Sequence, residues 1–493
     1  MSMIRADHLT FSYAGAQPVF EDVGFVIVTE WKLALVGRNG RGKTTLLQLL
    51  AGRYAYSVNI HASVRFSYFP CEIQDGSCLT REVLQTIAPF AQEWEMLREL
   101  SWLALDEEVL DRPFDTLSQG EQTKVQLAAL FLDEDSFQLI DEPTNHLEAR
   151  SRSLVAAYLK RKRGFILVCH DRQVLDSCTD HIMALGRDGI EICRGSYSAW
   201  LENVQRCQND EEVQNEQLKK DIRRLREAAR RTSGWSDQVE ASKRGAADKG
   251  YVGHKAAKMM KRSKAIEVRC EAAIAEKRSL LRRVERMDEL KISPLSHHSD
   301  VLVRLNDVAP CYEGRMVCAP LNAKIRQGER VCLSGRNGCG KSSLLKVIMG
   351  EQIAHTGTVE LASGLVISCV PQDASFLCGL PGAYAKQLGI DESLFKALLR
   401  KMGFARADFE QEMSGYSDGQ KKKVLIAGSL CQQAHLYIWD EPLNFIDIES
   451  RMQIESLLRR YAPTMLIVEH DQAFQEQIDG RILQMHAGKE DQE

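Results

Sequence analysis

The fold of this chain is decided by Gly37-Arg38-Asn39-Gly40-Arg41-Gly42-Lys43-Thr44, a P-loop pattern that follows the short apolar run 33–36. In such a loop, backbone N–H groups surround a phosphate, and the lysine ammonium reaches the terminal phosphate oxygens. The pattern recurs 298 residues later as Gly335-Arg336-Asn337-Gly338-Cys339-Gly340-Lys341-Ser342. Each copy lies between an apolar strand-like run and an apolar-faced helical run. The sequence therefore predicts two phosphate-binding sites.

Three further motifs repeat in nearly the same register. Ser118-Gln119-Gly120 recurs as Ser417-Asp418-Gly419, with the serines 299 residues apart. Asp141-Glu142-Pro143 recurs as Asp440-Glu441-Pro442 at 299, and His170-Asp171 recurs as His470-Asp471 at 300. Four motifs that keep one register indicate a tandem duplication.

The fold class predicted from this duplication is α/β, with two tandem P-loop nucleotide-hydrolase domains joined by a long helical hairpin. Apolar strands at 137–140 and 165–168, and again at 436–439 and 465–468, each end next to a repeated motif. Function at the carboxyl ends of strands is the rule for open parallel sheets. We expect a first domain at 1–205 (the first half), a linker at 206–298 and a second domain at 299–493 (the second half).

The linker has no second copy. Leu218, Ile222, Leu225 and Ala229 recur at helical spacing, as do apolar residues between 266 and 284, so we expect two long paired helices. The stretch 232–253 contains four glycines and is predicted to be a loop or a broken helix.

The charge of the linker differs from that of the rest of the chain. The net charge of the whole chain is −4, yet residues 206–295 carry 23 Lys and Arg against 15 Asp and Glu. Residues 219–264 hold 15 basic against 5 acidic side chains. This imbalance favours a polyanionic partner, although a solvated coiled coil would also explain it. The candidate RNA contacts are Trp235, Lys243, Arg244, Lys249, Tyr251, His254, Lys255, Lys258, Lys261 and Arg262.

Composition excludes other classes of protein. No stretch approaches the ~20 continuous apolar residues of a membrane span, and residues 1–7 do not form an apolar signal region. The 14 cysteines form no Cys-x-x-Cys pair and no cluster with zinc-ligand spacing. We therefore expect a cytoplasmic protein with reduced thiols and neither a membrane nor a transmembrane partner.

The repeated residues divide by chemistry. ATP would be bound through Gly37, Asn39, Gly40, Gly42, Lys43, Thr44 and Thr45, and again through Gly335, Asn337, Gly338, Gly340, Lys341, Ser342 and Ser343. Mg²⁺ would be held by Thr44 with Asp141, and by Ser342 with Asp440. The catalytic candidates are Glu142 and Glu441, which would polarise the attacking water, and His170 and His470, which would orient the γ-phosphate.

The segments Ser118–Gly120 and Ser417–Gly419 (the signature segments) resemble the signature of ATP-binding cassette proteins. The resemblance implies that each signature segment caps the ATP held by the opposite half, so that Ser118 and Gly120 serve the second P-loop and Ser417 and Gly419 serve the first. It also implies a monomer whose halves pair intramolecularly. Tyr13 and Tyr312, which lie 24 and 23 residues before their P-loops, resemble the aromatic that stacks on adenine.

The two copies differ at positions that matter in the family. Gln372 matches the glutamine that couples Mg²⁺ to domain motion, whereas the equivalent position in the first half is Cys71. Asn145-His146 is replaced by Asn444-Phe445 in the second half. We expect two sites of unequal activity.

Two fused cassettes with a basic helical linker resemble the F subfamily of ATP-binding cassette proteins (ABC-F). The segment from Trp235 through Arg262 is similar to that of its antibiotic-resistance branch. The resemblance implies a ribosome-bound ATPase that uses ATP and Mg²⁺, whose linker enters the tRNA exit site and contacts the P-site tRNA and the rRNA of the large subunit. It further implies that lincosamides, streptogramin A compounds and pleuromutilins are displaced.

Three other interpretations remain open at this stage. A housekeeping translation factor of the same subfamily would share every ATPase residue and differ in the linker. An ATPase pair of a transporter would need membrane subunits but no basic arm. A DNA-repair or chromosome-structuring ATPase would normally carry a longer coiled coil or zinc-site cysteines.

Overall fold

The structure, a computed structural model, describes residues 2–13, 18–38, 40–54, 60–73, 75–133, 135–145, 147–186, 189–241, 289–312, 314–336, 338–469 and 471–488. The chain forms two compact units, Met1–Ser198 with Met287–Glu493, and Ala199–Arg286. Both P-loop halves therefore belong to one unit.

The first half alternates strands and helices. Its strands are β1 (Met3–Ser12), β2 (Pro18–Val28), β3 (Lys32–Val36), β4 (Ile60–Ala62), β5 (Arg65–Phe69), β6 (Ser136–Asp141), β7 (Phe165–Val168), β8 (His181–Leu185) and β9 (Ile190–Arg194). Its helices are α1 (Lys43–Leu50), α2 (Thr80–Ile87), α3 (Glu93–Trp102), α4 (Gln119–Leu132), α5 (Ala149–Arg161) and α6 (Arg172–Cys178). A longer helix, α7 (Tyr197–Ala241), follows.

The second half repeats this order. Its strands are β10 (Val301–Tyr312), β11 (Arg315–Met316), β12 (Leu321–Arg326), β13 (Arg330–Ser334), β14 (His355–Leu361), β15 (Ile367–Val370), β16 (Leu436–Asp440), β17 (Met465–Val468) and β18 (Arg481–Gln484). Its helices are α8 (Lys341–Ile348), α9 (Pro381–Gln387), α10 (Glu392–Lys401), α11 (Asp418–Cys431), α12 (Ile448–Tyr461) and α13 (Gln472–Gln477).

Each half contains a parallel sheet and a smaller antiparallel sheet. The parallel sheet has the order β5-β6-β7-β3-β8-β9 in the first half, with only β9 antiparallel, and β15-β16-β17-β13-β18 in the second. The antiparallel sheets are β2-β1-β4, and β11-β10-β12 with β14 also paired to β10. The strand orders correspond, so the predicted fold class, α/β with two tandem P-loop domains, is confirmed.

The sheet order brings the repeated motifs together. The strand that leads into each P-loop, β3 or β13, lies beside the strand that leads towards the histidine, β7 or β17. The next strand, β6 or β16, ends on Asp141 or Asp440, and these aspartates pair with Val168 and Val468. Parallel strands end at one edge, so the chemical residues of each half share that edge.

The helix after each P-loop is held between the two sheets. In α1, Leu46, Leu47, Leu49 and Leu50 are buried against β1, β2, β3 and β6. In α8, Leu344, Leu345, Val347 and Ile348 pack in the corresponding core. This burial fixes the start of the helix relative to the sheet edge.

The linker prediction was partly wrong. Helix α7 has 45 residues and continues through 232–241, where the glycine pattern predicted a loop or a broken helix. One glycine inside a helix costs only about 1 kcal/mol, so Gly234 does not end it. The predicted second linker helix, in the region of residues 266–284, lies outside the described residues. Within the described part of the chain, no helix is long and apolar enough to cross a membrane.

Candidate nucleotide sites at the sheet edges

Each P-loop begins its helix through a glycine in the left-handed region. Gly42 has φ 90° and Gly340 has φ 85°. A Cβ on Gly42 would lie 2.5 Å from Val19 Cγ1, so this position excludes side chains for two separate reasons. The result is a free helix N-terminus facing the loop, which is a favourable place for a phosphate.

The P-loop lysines point back into their own loops. Lys43 Nζ donates to the carbonyl oxygens of Gly37 at 2.7 Å and Arg38 at 3.3 Å. Lys341 Nζ donates to the carbonyls of Gly335 and Arg336 in the same way, at 2.9 and 3.0 Å. Both lysines are buried, and each ammonium is held where phosphate oxygens are expected.

The structure brings together the residues predicted to hold Mg²⁺. The hydroxyl of Thr44 lies beside Asp141 and that of Ser342 beside Asp440, where each acts to lower the pKa of the carboxyl. Burial raises the pKa of both carboxyls above the usual value for aspartic acid. The Oδ1 atom of each aspartate is buried without a hydrogen-bond partner among the described residues. An orphaned carboxylate oxygen beside a hydroxyl is a donor set that suits Mg²⁺.

The carboxylate of Glu142 is held from two sides. His170 Nε2 lies 2.9 Å from Glu142 Oε1, and Asn145 Nδ2 donates to Glu142 Oε2 at 2.8 Å. Burial by itself raises the pKa of Glu142, but the neighbouring His170 and Asn145 outweigh it, and the pKa falls to about 2. Glu142 is therefore ionised at neutral pH, as a group that accepts a proton or orients water must be.

The second half holds Glu441 with two amides. Asn444 Nδ2 donates to Glu441 Oε2 at 2.8 Å, and Gln372 Nε2 donates to the same oxygen at 3.0 Å. At the position of Gln372 the first half has Cys71, whose backbone N–H donates to Gln126 Oε1 at 3.1 Å. Gln372 therefore contacts Glu441 at a position where the first half has Cys71, which is one of the differences between the copies noted in the sequence.

Both glutamates have an unusual backbone. The φ angles of Glu142 and Glu441 are 52° and 46°, in the left-handed region that non-glycine residues rarely occupy. Their N–H groups donate to the carbonyls of Val168 and Val468 on the neighbouring strand, at 2.8 and 3.0 Å. Strained backbone held by a neighbouring strand is common at functional sites.

The predicted adenine-stacking residues lie beside the P-loop helices. Tyr13 Oη lies 2.9 Å from Thr45 Oγ1, and Tyr312 Oη lies 3.1 Å from Ser343 Oγ. Both tyrosine rings are exposed, at 40% and 49% of their surface. The Tyr13 ring also contacts the rings of Phe11 and Tyr54, at centroid distances of 5.1 and 5.7 Å.

The signature segments begin helices. Ser118 Oγ accepts a hydrogen bond from the N–H of Glu121 at 3.3 Å, and Ser417 Oγ accepts from Gln420 in the same way at 3.3 Å. In each case the side chain three residues on bonds back to the serine N–H, which completes a capping box. Gly120 and Gly419 lie in the first turns of α4 and α11.

A cavity joins the second P-loop to the first half. Its volume is about 390 Å³. Its lining from the second half is Val317, Gly338, Gly340, Lys341, Ser342, Ser343, Gln372, Glu441 and Asn444, and from the first half Gln119, Leu147 and Arg152. Among the described residues, Gln119 is the member of the first signature segment that lines this space. One site is therefore lined by both halves.

The first P-loop meets the second half through different residues. Arg38 Nε pairs with Glu449 Oε2, near the start of α12. Burial lowers the pKa of Lys43, and the charge of Asp447 is foremost among those that oppose the shift. Asp447 in turn pairs with Lys423 at 2.5 Å, both side chains being about 5% exposed or less. This side of the interface is charged and closely packed.

Several predicted site residues, or their side chains, lie outside the described part of the chain. His470, Asn39, Asn337 and the candidate RNA contacts from Lys243 to Arg262 lie outside the described residues. Trp235 lies in α7, and its side chain is outside the described part of the chain.

Some functional neighbours were not assigned from the sequence. Asn145 and Asn444 hold the two glutamates, and each follows its glutamate by three residues in both copies. This equal spacing in the two copies was the sequence feature from which the two asparagines could have been identified. The ion pair of Arg172 with Glu455, whose Oε atoms lie 3.1 and 3.2 Å from Arg172 Nη2, joins the two halves. No repeat marks it, because residues 156 and 472 in the other copy are Ala and Gln.

Comparison with known proteins agrees with this geometry. The sequence profile of the ABC transporter family matches residues 20–145 and 318–444. The ribosome protection protein VmlR of Bacillus subtilis (strain 168) is 26% identical over 474 residues, covering 93% of this chain and 82% of that protein. The ATP-binding protein Uup of Caulobacter vibrioides is 26% identical, covering 93% and 73%. The energy-dependent translational throttle protein EttA of Haemophilus influenzae is 22% identical, covering 94% and 88%.

Solved structures share the fold. The archaeal ribosome recycling factor aABCE1, solved in complex with the ribosomal stalk protein aP1, superposes with a TM-score of 0.64 at 19% identity, covering 98% of this chain and 90% of that chain. The structure titled RNase-L Inhibitor gives a TM-score of 0.60 at 19% identity, covering 98% and 91%. At such identities the likeness concerns the tandem arrangement of two P-loop domains alone.

Proposed function

The chain belongs to the ABC transporter family, whose ATP-binding domain it carries twice, and we propose that this ATPase protects the large ribosomal subunit from antibiotics. The proposed drugs are those of the peptidyl-transferase centre, namely lincosamides, streptogramin A compounds and pleuromutilins. The proposed partners are large-subunit rRNA and the P-site tRNA, and the proposed location is the cytoplasm. The observation that carries the proposal is the basic linker between two halves that share a nucleotide cavity.

ATP hydrolysis is assigned to two composite sites. Lys43 or Lys341 would bind the terminal phosphates, and Glu142 or Glu441 would orient the attacking water. His170 lies within hydrogen-bond distance of Glu142 and would keep that carboxylate aligned. The signature segment of the opposite half would close each site, and the cavity that contains Gln119 together with Lys341 supports this arrangement for the second site.

Mg²⁺ fits the donor sets of both sites. Thr44 with Asp141, and Ser342 with Asp440, offer a hydroxyl and a carboxylate oxygen that lacks a partner among the described residues. Gln372 would add an amide oxygen in the second site. The ion would neutralise charge on the phosphates, and the protein residues would fix their orientation.

Two facts support the ribosome as the target. Residues 219–264 carry 15 basic and 5 acidic side chains, which suits a phosphate backbone. VmlR, a relative that aligns with 93% of this chain, is named a ribosome protection protein. In the proposed cycle, ATP brings the two halves together, the closed form binds the ribosome, and the linker displaces the drug. Hydrolysis then opens the halves and releases the protein.

The proposal is tested with the double substitution Glu142→Gln and Glu441→Gln. The variant is expected to remain on ribosomes in the presence of ATP, because it binds nucleotide but does not hydrolyse it. Ribosome pelleting measures this, with wild-type protein in ATP as the control. The cyclic scheme is wrong if the variant leaves ribosomes as readily as the wild type.

A second function is favoured by other relatives. EttA is named a translational throttle protein, and it aligns with 94% of this chain. A housekeeping factor of this kind would use the same two ATP sites. Growth of strains with and without the gene at graded lincosamide concentrations separates the two functions. Unchanged drug sensitivity together with altered translation would favour the housekeeping factor.

A further inference from the structure

Two buried charged residues lie close to the second nucleotide site. The equivalent positions in the first half of the chain are uncharged. Lys422 and Glu469 are 3% and 2% exposed. The equivalent positions in the first half, at offsets of 299 and 300, are Thr123 and Cys169. The second half thus has an ammonium and a carboxylate where the first half has two uncharged side chains. Buried charges are costly unless they are compensated, so their joint presence needs a reason.

Lys422 connects three elements of the second half. It lies on α11, five residues after Ser417. Its Nζ donates to the carbonyl of Pro371 at 2.9 Å and approaches the carbonyl of Asp440 at 3.4 Å. Pro371 immediately precedes Gln372, and Asp440 is the last residue of β16. One side chain therefore ties the signature helix to the two segments that face the second P-loop.

Glu469 supplies negative charge on the same side. It follows β17, and its carboxylate accepts hydrogen bonds from the N–H groups of Leu443 and Asp471, both at 3.4 Å. Burial lowers the pKa of Lys422, and the charges of Asp440, Glu441 and Glu469 oppose the shift. Glu469 thus helps to keep an ammonium inside the domain.

The first half is connected in another way. The hydroxyl of Thr123 donates to the carbonyl of Gln119 on its own helix, at 2.9 Å. Cys169 Sγ lies 3.2 Å from Thr144 Oγ1. Helix α4 reaches the end of β5 through Gln126, whose side chain accepts from the N–H of Cys71. This link is neutral, and it does not include the carbonyl of Asp141.

We propose that Lys422 is a positioning residue that couples the two nucleotide sites. Through its hydrogen bonds, a shift of Gln372 or Asp440 beside the second P-loop would move Lys422. Helix α11 would then carry this movement to Ser417 and Gly419. The proposal rests on the proposed function in one respect, namely that Ser417 and Gly419 cap the nucleotide of the first site. Coupling of binding free energies is reciprocal, so a nucleotide that raises the affinity of one site has its own affinity raised by the same factor when that site is filled.

The test is a two-site ATP-binding isotherm, measured by calorimetry without ribosomes in the Glu142→Gln, Glu441→Gln background. The two stepwise affinities are expected to show positive coupling. The double substitution Lys422→Thr with Glu469→Cys installs the residues of the first half and leaves no lone buried charge. It should reduce the coupling factor by about tenfold, within the usual range for allosteric pairs.

Two further variants separate coupling from folding. Lys422→Arg retains a charged donor and should keep most of the coupling, whereas Lys421→Thr, at the adjacent position, should leave it unchanged. The inference is overturned if the double substitution leaves the coupling factor unchanged in a protein with an unaltered melting temperature, or if the parent sites bind independently. Neither result would test ribosome protection, which the ribosome-pelleting and drug-sensitivity experiments address separately.

Discussion

Arg38 of the first P-loop pairs with Glu449 at the start of α12, so an ion pair links the first nucleotide site to the second half. A second ion pair, between Arg172 and Glu455, also joins the two halves. The positions equivalent to Arg38 and Glu449 in the other copy are Arg336 and Arg150, which have the same sign. The two nucleotide sites are thus flanked by different charges.

Reversing the charge of Arg172 should weaken the interface between the halves. In Arg172→Glu, two carboxylates would face each other at a site where Glu455 is 12% exposed. We expect a loss of roughly 1–3 kcal/mol in unfolding free energy and lower ATPase activity. The double substitution Arg172→Glu with Glu455→Arg restores opposite charges and should recover most of the unfolding free energy and of the ATPase activity. Chemical denaturation measures the first and phosphate release the second.

The matched control is the more exposed pair Lys396–Glu392 within α10. Lys396→Glu should cost less than about 1 kcal/mol and leave ATPase activity unchanged, because pairs on an exposed helix face contribute little. Equal losses for Arg172→Glu and Lys396→Glu would argue against a role of Arg172 at the interface.

The second site should hydrolyse ATP faster than the first. Gln372 donates to Glu441 and can help to hold water, whereas Cys71 takes this position in the first half. Glu441→Gln is therefore expected to lower steady-state ATPase activity at least about threefold more than Glu142→Gln, a difference of roughly 0.65 kcal/mol in barrier. Cys71→Gln in the Glu441→Gln background should raise the residual rate. Equal rates for the two single variants would contradict the predicted inequality.

The buried pair of Lys423 and Asp447 should matter greatly for stability. Lys423 lies 2.5 Å from Asp447, and both are almost fully buried. Lys423→Met would leave a carboxylate unpaired in the interior, at a cost of about 3–5 kcal/mol. Thermal unfolding measures the change. Lys421→Met, two positions earlier and partly exposed, is the control and should change the melting temperature little.

The ionised form of Glu142 should stabilise the fold in a pH-dependent way. Its pKa is lowered to about 2, below the ordinary value for glutamic acid. Its contribution is therefore fully present above about pH 4.5 and is lost as the pH falls towards 2. The difference in unfolding free energy between wild type and Glu142→Gln should change as the pH falls from about 4.5 towards 2. A constant difference down to pH 3 would show that the pKa is not lowered in this way.

Much of the fold was predictable because strands and loops carry local signals. The apolar run before Gly37, the glycine-rich P-loop pattern and the apolar-faced run after it predicted the strand, loop and helix that the structure contains. Strand order was not predictable, since neighbours such as β3 and β7 are far apart in the sequence. The glycine pattern did not predict the helix through 232–241, because that stretch contains one glycine, Gly234, and a helix tolerates one at a cost of about 1 kcal/mol.

Candidate-site residues that occur in both copies were predictable from the sequence. Those that differ between the copies were not. Thr44 and Asp141 come together as their spacing after strands predicted. Contacts between the halves, such as Arg38 with Glu449, depend on how two surfaces meet, and no local pattern encodes that. Lys422 was missed because its copy is a threonine.

The opposite charges of Arg150 and Glu449 affect which halves would associate with each other. As separate chains, two copies of the second half would place Arg336 opposite Glu449 twice, while two copies of the first would place Arg38 opposite Arg150. At these positions, charge would therefore favour self-association of the second half. Joining both in one polypeptide raises their mutual effective concentration. The connection and the Arg172–Glu455 ion pair, which only the mixed pair can form, both favour pairing of the first half with the second.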